Sequence, residues 1–338
     1  MKLLLWKTRP RISWIGILWL VFSGLVHAQT CYTSADMDEP TRTALESAGK
    51  RYFDMAARGD AASLKQNAIA SLAGQFSGIE TAVKDNQASL SGAKPAVRSP
   101  FLLKAEGTAA LPRAEFLCGV FAKNGQTANS AEFILANLAP GSYGVVTLDA
   151  TGGANGPRTV SFVLEQQGQD WKMGGFYVKD PQIKGHDGNW FADQARGYKS
   201  KAQNHNAWFY YVEARELLVP VPFMYTQLTD KLYDESQTVK PTDLPVEGNA
   251  TDLSGAGKTY RLTTVFPLPV GNDLDLVVKY QVADISDTAK TFQENTAVMK
   301  ALLAKFPEFR DGFDGIVARA VAPSGQDYGS MLAMKDIK

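Results

Sequence analysis

The sequence predicts an α+β protein: N-terminal helices with a curved antiparallel sheet, then a helical hairpin region, then a C-terminal ββαββ module. Three observations lead there. Apolar residues recur at helical spacing over 41–90. Runs rich in β-branched and aromatic residues fill 96–180. Both patterns then return once more before residue 338. Helices first and antiparallel strands after is the order of an α+β domain, not of alternating α/β units. With 338 residues, 45% hydrophobic and 21% charged, the chain is long enough for two domains and a connecting module, and apolar enough for packed cores.

Residues 1–28 follow another logic. Lys2, Lys7, Arg9 and Arg11 form a basic front, residues 12–26 are apolar throughout, and Ala28 closes the segment. This is the pattern of a secretory signal, with cleavage expected after Ala28. The apolar run is shorter than the ~20 residues of a membrane span, so an uncleaved signal is the only expected route to membrane attachment. Without its four basic residues the chain carries 31 basic against 35 acidic groups, a net of −4. No basic footprint for nucleic acid remains.

Two cysteines, Cys31 and Cys118, stand 87 residues apart. An even count in an exported chain points to one disulfide. A lipid-modified Cys31 is the competing reading. Ala28 and Thr30 occupy the positions where lipoprotein signals carry Leu and a small residue, so the sequence departs from that pattern.

The expected order is a cone-like domain at 29–182, a helical hairpin region at 183–237, a polar linker at 238–258 and the last module at 259–338. In the first helix Leu45, Ala48, Tyr52, Phe53, Met55 and Ala56 share a face, and Gly59-Asp60 stops it. The strands read 113–122, 141–151, 158–168 and 170–180. Val160, Phe162 and Leu164 alternate with Ser161, Val163 and Glu165, which gives one buried and one mixed face. In the last module, Ser286 is the expected cap of a helix whose stripe includes Phe292, Val298, Met299, Leu302 and Phe306. A closing hairpin follows.

Helices followed by long hairpins, with Trp171, Lys172, Gly175 and Phe176 in the final strand, resemble the nuclear-transport-factor-2-like cone over about 40–180. The resemblance implies an inner cavity used for small-ligand binding, catalysis or association, and no catalytic motif. Ala195, Tyr198, Ala202, Ala207, Tyr211 and Ala214 are similar to the packing positions of a single tetratricopeptide unit over about 188–220. That likeness implies small residues letting two helices approach.

"DLSGAGKT" at 252–259 ends like a phosphate loop but is not expected to be one. Asp252 stands where the first Gly belongs, a linker precedes it, and a strand-like run follows it. No nucleotide, metal or other cofactor is expected. Only His186 and His205 remain after residue 28, and both cysteines are assigned to the bridge. His186 beside Asp187 reads as a turn, with Asp187 or Asn189 capping the helix from Trp190. No Gly-x-Ser-x-Gly elbow is present. No catalytic residue is nominated, and enzymatic activity is not the favoured expectation.

The run "NAWFYY" at 206–211 leaves two readings. It packs against neighbouring modules, or it forms a ligand or partner surface made by Trp190, His205, Trp208 and Tyr210. The leading functional expectation is an exported cell-envelope protein, periplasmic or secreted, that binds or scaffolds an envelope partner. The alternative is a small-ligand binder or enzyme using the cone cavity.

Overall fold

A computed structural model describes residues 29–121, 125–127, 129–246, 248–255 and 257–338. The expected signal segment, 1–28, lies outside the described residues. The α+β class holds, with helices and open, mainly antiparallel sheets.

The chain starts with β1 (Gln29–Tyr32) and the helices α1 (Glu39–Ala57), α2 (Ala61–Gln66), α3 (Ala70–Ala73) and α4 (Ser77–Leu90). Asp38 caps α1, its carboxylate accepting from the Thr41 N–H at 2.8 Å, with Pro40 in the first turn. Gly59 ends the helix with φ +70°, a conformation that glycine adopts freely. Strands β2 (Lys94–Val97), β3 (Phe101–Ala105), β4 (Leu111–Cys118), β5 (Ala131–Leu138), β6 (Gly141–Thr151), β7 (Arg158–Gln167) and β8 (Asp170–Lys179) follow.

The main N-terminal sheet runs β1-β3-β6-β7-β8, with β2 also paired to β6. Its two faces separate by residue parity. Val146 and Leu148 from β6, and Val160, Phe162 and Leu164 from β7, join Leu45, Tyr52 and Phe53 of α1 in one core. The helix lies close because two contact positions are glycine. A Cβ on Gly49 would come within 2.5 Å of Val146, and one on Gly144 within 2.2 Å of Leu45. Met55, expected in the inner stripe, is only half-buried.

The opposite face carries Val145 and Thr147 from β6, Thr159 and Ser161 from β7, and Tyr177 and Lys179 from β8. It is covered in part by a second sheet, β4-β5-β9, where β9 is Met224–Tyr225. Phe101, Phe116, Phe133 and Val145 form the core between the two sheets. The Cys31–Cys118 disulfide ties β1 to the end of β4 with 4.9 Å between the Cα atoms, so it staples one sheet to the other.

The second half contains α5 (Gly188–Ser200), α6 (Asn204–Leu218), α7 (Gln227–Gln237), β10 (Thr251–Gly255), β11 (Lys258–Val270), β12 (Asp273–Gln281), α8 (Thr288–Lys305), α9 (Phe309–Gly312), β13 (Gly315–Val321) and β14 (Asp327–Ala333). The C-terminal sheet runs β10 to β14 in order. Strands β12 and β13 are parallel, which requires the crossover helix α8 between them. Asp287 caps α8, one residue after the expected Ser286.

The hairpin region and the last module are not separate bodies. Ala207, Phe209 and Tyr211 of α6 share one core with Tyr260, Tyr280, Leu302 and Phe313. The expected linker at 238–258 also changes: Thr251–Gly255 is the first strand of the sheet. Only Leu253 of that strand is fully buried, so its composition reads as polar linker. Gly255 pairs with Lys258 where β10 gives way to β11, and a strand, not a helix, follows the phosphate-loop-like run.

The loop closed by Cys31–Cys118 holds 87 residues. Replacing both cysteines by serine is expected to lower stability by about 2–5 kcal/mol, since a cross-link over a long loop restricts the unfolded chain. Urea unfolding measures it. An unchanged midpoint would mean that the bridge is dispensable to the two-sheet packing.

Candidate functional site

The face of the N-terminal sheet turned away from α1 is not fully covered. Between the β2–β3 joint and the segment from α6 to α7 lies an open groove of roughly 410 Å³, within the range of small-molecule pockets. A local irregularity of the sheet lies at the groove's edge. Val97 pairs with Leu148 and Phe101 with Val145, so four steps on one strand face three on the other. This is a β-bulge, and Pro100, which has no N–H to offer, sits inside it.

The bulge brings the Arg98 side chain to the groove. Its Nε donates to Asp149 Oδ2 at 2.8 Å and its Nη2 to Asp149 Oδ1 at 2.6 Å. The pair is bidentate, the strongest form of such an ion pair. Behind it the Thr147 and Ser161 hydroxyls meet at 2.9 Å in the buried interior. Thr159 donates to Asp149 Oδ1 at 3.4 Å.

Phe101, Val145, Leu218, Pro220, Met224 and Leu228 give the groove an apolar lining. Gln126, Thr127, Asn129, Thr226 and Gln227 supply amide and hydroxyl groups. The rim is held by its own hydrogen bonds. Ser130 Oγ accepts from the Thr127 N–H at 2.8 Å and donates to the Gly119 carbonyl at 3.0 Å. Thr226 caps α7 in a reciprocal box with Thr229.

The wall from α6 is anchored by Lys179 of β8. Its ammonium donates to the carbonyls of Glu216 and Val219, the latter at 2.8 Å. These carbonyls stand at the C-terminus of α6, where a cation satisfies acceptors that lack helical partners. Burial pulls the Lys179 ammonium below its usual range, against the attraction of Glu216 and Glu213. Glu213 is buried as well. Its carboxyl is pushed up to about 7, first by burial and then by Glu216, with Lys179 opposing.

The residues nominated from the sequence lie elsewhere, around the hairpin and the C-terminal module. Trp208 and Tyr210 are buried and offer no surface, which corrects the surface reading. Tyr210 donates to the Gly312 carbonyl at 2.7 Å. Trp190 is half-buried and stacks on His186 with ring centroids 3.9 Å apart. Asp187 is spent capping α5, accepting from the Trp190 N–H at 3.0 Å. His205 lies between Glu308 Oε1 at 2.7 Å and Asp243 Oδ1 at 2.9 Å. The ring thus ties the start of α6 to the segment after α7 and to the residue before α9, which is a structural clasp.

Sequence reasoning missed Arg98, Asp149, Thr147, Lys179 and Glu213. The usable signals were the proline after a strand at 100 and the hydroxyl at Ser161 on the mixed face of β7. Among the described residues, no group of three or more His, Cys, Asp or Glu side chains is placed to hold a metal, and no helix is long and apolar enough to cross a membrane. In comparisons with known proteins, no family model, no curated protein and no solved structure matches the chain.

The Glu213 carboxyl sets a pH dependence with a definite sign. Its folded value lies above the ordinary 4.5, so the folded chain binds the proton more tightly than the unfolded one. The stabilisation is complete below about 4.5 and is lost as pH rises through about 7. Glu213→Gln should be near neutral at pH 4 and stabilising by about 1–3 kcal/mol at pH 8, read by urea unfolding at both values. A variant destabilised at pH 8 would mean that Glu213 is ionised and paired with Lys179.

Proposed function

We propose that this chain is a non-catalytic binding protein of an oxidising, extracytoplasmic compartment, and that the groove on the sheet face opposite α1 takes a small ligand. The carrying observation is an open groove with an apolar lining and a rim of neutral polar groups, of which Ser130 is held by two hydrogen bonds. Apolar surface supplies affinity in such sites, and a few placed polar groups supply orientation. Among the described residues that line the groove, no nucleophile is held against a base, which is what a hydrolytic or transfer reaction would need.

Helices on one sheet face and a groove on the other support the reading as a nuclear-transport-factor-2-like cone. The disulfide supports an oxidising location, and within that we favour the periplasm or the cell exterior, after signal removal near Ala28.

A second reading, a scaffold for an envelope protein, is favoured by the outer face of the C-terminal sheet. Phe266, Leu268, Val277, Val317 and Met331 lie side by side across four strands by register. Leu268 and Met331 are 41% and 56% exposed. Val277 between them is buried and Phe266 and Val317 are half-buried, so the exposed apolar surface lies at the margins of this face, where a partner could cover it.

The test of the groove is a fragment screen by NMR with labelled methionine methyls. Bound fragments should shift the Met224 methyl resonance. Ser99→Trp, at an exposed position on the bulge, should weaken them about tenfold or more by filling the mouth while leaving the thermal midpoint unchanged. Fragments that bind equally well to the variant, or that leave Met224 unmoved, would remove the groove from the account. The outer-face reading would then stand alone.

A further inference from the structure

The groove's electrostatics narrow the class of ligand, and this inference rests on the groove being the binding site. Among the described residues, Arg98 is the one ionisable side chain lining it. Its guanidinium is already matched by Asp149 through two parallel hydrogen bonds of 2.8 and 2.6 Å. Asp149 is held in turn by Thr159. The pair brings no net charge to the groove. The remaining polar lining consists of neutral hydroxyls and amides, which donate and accept equally well.

A charged ligand is therefore poorly matched. A carboxylate would lose its hydration to an apolar lining and meet a guanidinium whose charge Asp149 already balances. An ammonium would have to compete with Arg98 for Asp149. Burial of an ion without a free counter-ion is costly, whereas a neutral head group needs only the hydrogen bonds that the rim offers. From this we infer that the ligand is an uncharged amphiphile. Its apolar body lies along Phe101, Val145 and Met224, and its hydroxyl or amide head meets the rim at Gln126, Thr127 or Gln227. At ~30 Å³ for each water-sized group, a space of roughly 410 Å³ takes on the order of a dozen non-hydrogen atoms.

A matched eight-carbon series tests this on the whole folded protein: 1-octanol, octanamide, octanoate and octylammonium, titrated at pH 7.5 with the Met224 methyl as reporter. The alcohol and the amide are expected to bind about tenfold or more tightly than either ion. Asp149→Asn removes the internal counter-charge at a partly exposed position. It should raise the affinity for octanoate relative to octanol, because Arg98 is then unmatched.

Octanoate or octylammonium binding the unaltered protein as tightly as octanol would overturn the inference and leave the groove standing as a site. A preference for octanol that Asp149→Asn leaves unchanged would also overturn it, since charge balance would not be its cause. Failure of all four compounds to move Met224 would remove the groove reading itself, and this inference with it.

Discussion

Helix α6 has to be buried on nearly every side, and much of the molecule is arranged to bury it. Asn206 to Tyr211, with Glu213 and Ala214, are all withdrawn from solvent. A helix apolar around its circumference cannot sit on a surface. One flank packs on α5 and another on α7. A third meets the aromatic wall of Phe306, Phe309 and Phe313, with ring centroids about 6 Å from Phe209 for the latter two. Some of the polar groups that this burial traps find local partners, while Asn206 Oδ1 has none among the described residues. Tyr210 donates to the Gly312 carbonyl, and the Asn206 amide donates to the Glu308 carbonyl at 2.6 Å. Gly312 is required there, because a Cβ would come within 2.8 Å of the Asn206 side chain.

The same helix links the two halves. Its C-terminal carbonyls are held by Lys179 from the last strand of the N-terminal sheet. The chain leaving it inserts Val221 into the core between the two N-terminal sheets and pairs Met224 with Phe133. Leu218, Pro220 and Met224 thus reach the groove as the direct continuation of a buried pillar. A ligand wall on this segment inherits rigidity from α6, and positions held by packing orient a ligand better than free loops do. Glu213 is the cost of the arrangement: a carboxyl placed in a dry interior beside Glu216, with a single ammonium to offset it.

Local patterning revealed much of the fold. The alternation at Val160, Phe162 and Leu164 placed β7 and its buried face correctly. The cap at Asp187 and the stop at Gly59 followed from the backbone needs of helix ends. The all-round apolar character of 206–211 announced burial, but not what would cover it, because periodicity describes one element at a time. The strand at Thr251–Gly255 was hidden because an edge strand with one inward residue has the composition of a linker. The groove was the least legible part. Arg98 and Asp149 are 51 residues apart in sequence, and Lys179 and Val219 are 40 apart. Nothing in either neighbourhood names the other. A bulge, which offsets a strand by one residue, leaves only a proline as its trace.

The central claim is that α6 is the shared core of the molecule rather than an accessory hairpin. Native-state hydrogen exchange tests it most directly. The amides of Trp208 to Ala214 should exchange only through global unfolding, with the same free energy as those of Val278 and Tyr280 in the C-terminal sheet. Exchange of the α6 amides through a smaller opening, while the sheet stays protected, would contradict the account and return the hairpin to the status of a separate module.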